Sequence, residues 1–222
     1  MQLIVRKLLS KEEVSQVRSR MDAAPFIEGA SRVAGAAASV KNNQQIREDS
    51  DIYKELVPYL MRKIAGNSQV TNNFFPKTIL PLLLSRYEVG RFYGPHMDAP
   101  FFRNGDLRAD VSMTLFLSEP EEYGGGELTL MPGGEEVMIK LAAGDAFFYP
   151  TTVLHRVAEV TSGVRVVAVT WMESFIRNPQ YREIAAQLNR VQGALAIRPD
   201  LSEEADILRA ASSNLLRDWW GR

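Results

Sequence analysis

RYEVGRFYGPHMD, residues 86–98, holds one of only two histidines in a chain of 222 residues. Read as a strand, it turns successive side chains to opposite faces, so His96 and Asp98, two apart, point the same way. One imidazole and one carboxylate then converge. The other histidine, His155, lies in YPTTVLHRVAEV (149–160), which also reads as a buried strand. The chain has no cysteine, so any metal must be held by nitrogen and oxygen. Two neutral imidazoles and a carboxylate are the set that suits non-haem Fe(II) with open coordination positions. An HxD pair alone is unspecific. The competing reading makes both histidines ordinary hydrogen-bonded side chains and Asp98 a turn cap before Pro100.

Outward from this stretch, Thr71 to Thr170 is a succession of short apolar runs separated by Gly, Pro and acidic turns: TILPLLLSRYEV, DVSMTLFLS, GELTLM, EEVMIKLA, DAFFYP, VLHRVAEV and GVRVVAVTWM. Short strands with turn signals between them indicate a β-sandwich or barrel rather than alternating β and α units. A jelly-roll of two antiparallel sheets is the economical arrangement. Inward-facing residues from separate strands meet in the pocket between such sheets.

The flanks are helical. MQLIVRKL opens as a strand, and Ser10 with Glu13 forms a capping box that starts a helix through about Met21, ended by Pro25. GASRVAGAAASVKNNQQ (29–45) has no clear period and reads as loop with a short strand. In DSDIYKELVPYLMRKIA (49–65), Ile52, Leu56, Tyr59, Leu60 and Ile64 fall at helical spacing before Gly66, although Pro58 counts against an unbroken helix. After Trp171, NPQYREIAAQLNRVQGALA and LSEEADILRAASSNLLRDWW give two amphipathic helices. The fold class expected is α+β, with a jelly-roll core flanked by N-terminal helices and a C-terminal helical segment. Residues 1–175 form one unit, with a core at about 71–175, and 176–222 form the tail. The tail helices can pack on their own barrel or on a second subunit, as in a homo-oligomer.

Composition narrows the function. A net charge of −1, from 26 basic and 27 acidic residues, offers no concentrated basic face for nucleic acid. The apolar N-terminus is interrupted by Arg6, Lys7, Lys11, Glu12 and Glu13, and no run of about eighteen apolar residues occurs, so neither a signal peptide nor a membrane span is expected. The default location is the cytoplasm.

Arg165 is the only charged residue in GVRVVAVTW. A buried guanidinium requires an anionic partner. That partner is either a protein carboxylate or a small dicarboxylate gripped bidentately; the far end of a molecule such as 2-oxoglutarate would chelate the metal. Tyr87 and Tyr93 either offer hydroxyls to a bound carboxylate or are core aromatics. YGGGEL (123–128) and AAGDAFFYP (142–150) read as tight turns. APFFRNGDLRAD (99–110), with Phe101, Phe102 and Arg103, leaves the HxD strand and is either a substrate-contacting loop or a plain connection.

Taken together, RYEVGRFYGPHMDA, the YGGGEL turn and GDAFFYPTTVLHRVAEVTSGVR resemble the Fe(II)- and 2-oxoglutarate-dependent dioxygenases of the prolyl-4-hydroxylase-like branch, and most closely the bacterial PKHD-type hydroxylases. The likeness extends to LLSKEEVSQVRSRMDAAPFIEGASRVAGAAASVKNNQQI and to NPQYREIAAQLNRV with NLLRDWW, nearly the whole chain. It implies a double-stranded β-helix, His96, Asp98 and His155 as iron ligands, and Arg165 as the anchor of the 2-oxoglutarate C5 carboxylate. It also implies use of O2, release of succinate and CO2 with hydroxylation of a C–H bond, and dependence on L-ascorbate. A peptidyl or amino-acid substrate is favoured by the prolyl-hydroxylase motifs; a small metabolite such as a siderophore component stays open. Two other classes compete: a non-catalytic sensor of iron or 2-oxoglutarate, and a zinc hydrolase, against which the absence of HExxH counts.

Overall fold

Alternate residues of VSMTLF (111–116), AFFYP (146–150) and RVVAVTWMES (165–174) serve two different cores, because nearly every residue in these runs is buried and a strand sends its odd and even side chains to opposite faces. The computed structural model describes residues 1–32, 39–102 and 105–221. In chain order it runs β1 (Leu3–Val5), α1 (Lys11–Asp22), β2 (Phe26–Glu28), β3 (Lys41–Asn42), β4 (Gln44–Ile46), α2 (Asp51–Ala65) and α3 (Ser68–Phe74). The strands continue as β5 (Pro76–Ile79), β6 (Leu83–Tyr87), β7 (Phe92–His96), β8 (Phe101–Phe102), β9 (Leu107–Arg108) and β10 (Val111–Phe116). Then come β11 (Tyr123–Gly125), β12 (Leu128–Leu130), β13 (Val137–Ile139), β14 (Ala146–Pro150), β15 (His155–Val157), β16 (Val160–Gly163) and β17 (Arg165–Ser174), followed by α4 (Pro179–Leu195) and α5 (Ser202–Trp219).

The strands make one eight-stranded sheet, in the order β1-β14-β10-β17-β6-β4-β2 with β5 also on β17, and one five-stranded sheet, β13-β12-β15-β7-β3. All pairings are antiparallel; the two short ribbons are β8 with β9 and β11 with β16. On one face of the large sheet, Leu84, Met113, Leu115, Phe148 and Ala168 pack in a single core with Val14, Val17 and Met21 of α1 and Leu56, Leu60 and Ile64 of α2. On the other face, Tyr87, Phe116, Phe147, Tyr149 and Val167 meet Leu128, Leu130 and Val157 of the small sheet. The site lies in this second layer.

The expected capping box is present: the Ser10 hydroxyl accepts from Glu13 N, and the Glu13 carboxylate accepts from Ser10 N at 2.8 Å. Helix α2 is unbroken through Pro58, contrary to expectation. The proline costs about 3 kcal/mol, but the helix buries Tyr53, Leu56, Val57, Leu60 and Ile64, each contributing about 1.5–3 kcal/mol. Burial wins. One other reading is corrected. Thr71 lies inside α3, capped by Asn67 accepting from Gln69 N and Val70 N, rather than at the start of the strand region. The 29–45 stretch, read as loop with a short strand, contributes β3 and part of β4, both paired into the sheets; residues 33–38 lie outside the described residues. Among the described residues no helix is long and apolar enough to cross a membrane.

Candidate active site

A cavity of about 900 Å³ opens between the sheets. His96 ends β7, His155 begins β15, and the two are register partners. One ligand atom from each of His96, Asp98 and His155 lies within 4.8 Å of the others. Asp98 arrives differently from the expectation: β7 stops at His96, so the carboxylate is placed by the segment after the strand. The buried Ser112 of β10 holds it there, donating to Asp98 Oδ2 at 2.6 Å, and that oxygen stands 3.8 Å from His155 Nε2.

Both imidazoles are oriented by backbone. His96 Nδ1 lies 2.8 Å from the Gly94 carbonyl and His155 Nδ1 2.9 Å from the Val153 carbonyl. A carbonyl only accepts, so each Nδ1 carries the proton and donates it, leaving each Nε2 lone pair for a metal. Burial, and His155 beside it, hold the His96 imidazole well below its ordinary range, which favours the neutral, ligating ring. Tyr93 stacks on His96 with centroids 3.6 Å apart, and Tyr149 meets His155 edge-on at 5.2 Å. The donor set fits a divalent transition metal of the Fe(II) type.

Arg165 reaches the same cavity from β17, directly opposite Tyr87 of β6. It is 1% exposed, its guanidinium carbon is 5.0 Å from the Tyr87 ring centre, and its Nε has no hydrogen-bond partner. No carboxylate among the described residues pairs with it. The salt-bridge reading of Arg165 therefore fails, and a buried cation without its anion fits the carboxylate of an entering molecule. Burial raises the Tyr87 phenol, with Arg165 pulling the other way.

The YGGGEL turn does more than reverse the chain. Gly126 has φ of 67° and a Cβ there would stand 3.1 Å from Arg165 Cδ and 3.0 Å from a Val160 methyl. Gly126→Ala should cost about 1–2 kcal/mol of stability through its left-handed backbone and weaken binding of a carboxylate ligand at Arg165 by pushing on the arginine stem. Thermal melts and a titration with a small dicarboxylate check it; unchanged affinity would contradict the contact.

The structure thus brings together His96, Asp98, His155, Arg165, Tyr87 and Tyr93, all lining one cavity. Phe102 joins them, its ring 4.9 Å from that of Trp171, whereas Phe101 is exposed and Arg103 lies outside the described residues. Sequence reasoning missed Ser112, Tyr149 and Trp171. The signal was their parity: each sits on the face of its strand that carries Thr114, Phe147 or Arg165.

Comparison with known proteins follows the same line. The family model of the 2OG-Fe(II) oxygenase superfamily matches residues 82–173. PKHD-type hydroxylases from Thermosynechococcus vestitus and Alteromonas mediterranea are 38% identical over 221 residues and 37% identical over 220, covering 99% and 97% of both chains respectively. A solved Trichoplax adhaerens prolyl hydroxylase, in complex with a hypoxia inducible factor peptide fragment, has the same fold at a TM-score of 0.54 and 17% identity, over 77% of this chain and 82% of that one. Fold and site define an oxygenase of the jelly-roll class that uses Fe(II) and 2-oxoglutarate. Within that class, the chain belongs to the PKHD-type hydroxylases.

Proposed function

We propose that His96, Asp98 and His155 hold the Fe(II), that Arg165 receives the C5 carboxylate of 2-oxoglutarate, and that the hydroxylated group is an amino-acid side chain, prolyl or similarly apolar, within a peptide. The observation that carries the reading is the buried, anion-less guanidinium in the cavity that also holds the His-Asp-His cluster. The sandwich is taken as a double-stranded β-helix, with a core at about 71–175 inside a unit of 1–175 and a C-terminal segment at 176–222. Strands from residues 3–46 complete both sheets of that unit. The proposal extends to L-ascorbate dependence, on the family resemblance.

Each residue has a stated task. The Gly94 and Val153 carbonyls fix both rings so that Nε2 faces the metal position, and Ser112 fixes the carboxylate. Arg165 grips the distal carboxylate through two parallel N–H donors, and Tyr87 beneath it limits the room for any longer acid. The buried Phe116, Phe147 and Val167 around this end exclude water, which strengthens every charge interaction inside. When bound, iron and 2-oxoglutarate supply O2 activation coupled to decarboxylation of 2-oxoglutarate to succinate and CO2, with hydroxylation of a C–H bond as the outcome.

Support for a peptidyl substrate comes from the cavity wall. Phe102 and Trp171 pack on each other and offer an apolar surface to a ring or an aliphatic side chain, and the buried Trp171 indole N–H lacks an acceptor, which a backbone carbonyl of the substrate would supply. Incubation with Fe(II), 2-oxoglutarate and a panel of proline-containing peptides should give a one-oxygen mass gain with equimolar succinate. If only free amino acids or other small metabolites are hydroxylated, the peptide assignment is wrong.

A further inference from the structure

KNNQQ (41–45) is a polar comb. Lys41, Asn43 and Gln45 fall at every second position, and all three line the cavity at 7%, 2% and 1% exposure. The segment runs through both sheets, β3 as the edge strand of the small sheet on β7 and β4 between β6 and β2 in the large one. It therefore joins the two sheets along one side of the cavity. Apolar side chains would close that side at lower desolvation cost. Three inward polar side chains in succession instead make this stretch of the cavity wall polar.

Their neighbours say which end of the ligand each one meets. The Lys41 ammonium lies 5.4 Å from the Tyr93 ring centre, and that ring stacks on His96, so the charge stands at the metal end. Arg165, over Tyr87, stands at the far end. Gln45 pairs with Ser85, which pairs with Val167, on the inner face between them. Its side-chain oxygen has no partner, and its nitrogen reaches Ser85 Oγ at 3.4 Å. A serine hydroxyl both donates and accepts, so the Gln45 amide can turn its NH2 into the cavity without losing Ser85. Asn43 lies between Lys41 and Gln45 in the chain, its buried Oδ1 without a partner.

2-Oxoglutarate is a dianion, and one guanidinium matches one of its carboxylates. Building on the assignment of Arg165 above, we infer that Lys41 and Gln45 are a second set of cosubstrate contacts: Lys41 pairs with the C1-carboxylate end beside the metal, and the Gln45 amide donates along the chain between the two charges. Arg165 and Lys41 together then measure a five-carbon diacid at both ends.

The test uses zinc-loaded protein, which binds without turnover, and two probes followed by tryptophan fluorescence or calorimetry: 2-oxoglutarate, and 4-oxopentanoate, the same chain with a methyl in place of the C1 carboxylate. Lys41→Met should weaken 2-oxoglutarate binding roughly tenfold or more, the loss of a charge-assisted hydrogen bond, and leave 4-oxopentanoate unchanged. Arg165→Met should weaken both. Lys41→Arg, which keeps the charge, should bind 2-oxoglutarate nearly as the parent does. If Lys41→Met folds poorly or holds less zinc, Gln45→Met decides, with a several-fold loss expected. Parent-like affinity in both Met variants, with Arg165→Met impaired, overturns this inference and leaves the Arg165 assignment standing. A parent protein that binds no 2-oxoglutarate overturns the Arg165 assignment itself.

Discussion

Asp98→Ala should abolish iron-dependent turnover while the fold is retained. The carboxylate is the one anionic member of the cluster. Loss of a partner that merely orients a ligand costs about 10–100-fold in metal affinity, so loss of the ligand itself should exceed about 100-fold by the same scale. Ser112, which holds that carboxylate at 2.6 Å, falls in the milder class: Ser112→Ala should weaken iron binding without removing it. Metal content after gel filtration and succinate release read both effects. Full turnover in Asp98→Ala would sink the assignment of the triad, and a Ser112→Ala defect equal to that of Asp98→Ala would mean that the hydroxyl does more than orient.

The second large effect is at Arg165. Truncating one partner of a buried, hydrogen-bonded charge pair costs about 2–5 kcal/mol, equivalent to roughly 30- to 4,000-fold in Kd. Arg165→Met should lose 2-oxoglutarate affinity on that scale. The same substitution should leave the melting temperature of the ligand-free protein unchanged or raised, because it removes a buried guanidinium whose Nε is unpaired and fills the volume with an apolar chain. These opposite signs separate a ligand anchor from a structural salt bridge. A large fall in stability, with cosubstrate affinity intact, would reverse the reading of this residue.

How much of this was legible in the sequence follows from the range of the forces involved. The Ser10–Glu13 cap and the helix ending at Gly66 are local devices, set by contacts within a turn, and were read directly. Arg165 was legible because a lone charge among valines needs a partner wherever the strand lies. Asp98 was selected for the wrong local reason: strand alternation does not extend past His96, and it is Ser112, from a different strand, that brings the carboxylate in. Helix α3 was missed because seven residues carry too few turns for a periodic signal, and its Asn67 cap stands beside a run that reads equally well as strand. The 41–45 comb was missed because period-2 polarity marks a strand only when something polar is to be faced, and what it faces, a cavity assembled from β6, β7 and β17, exists only after long-range pairing. The Phe102–Trp171 contact is likewise a product of tertiary structure.

The most direct measurement is an anaerobic titration of Fe(II)-loaded protein with 2-oxoglutarate, watching for the weak visible metal-to-ligand charge-transfer band, on the parent and on Arg165→Met. A band that saturates in the parent and needs far more cosubstrate in the variant is the predicted result. No band in folded, iron-replete parent protein would contradict the account, and would return the non-catalytic and zinc readings of the same three ligands to the front.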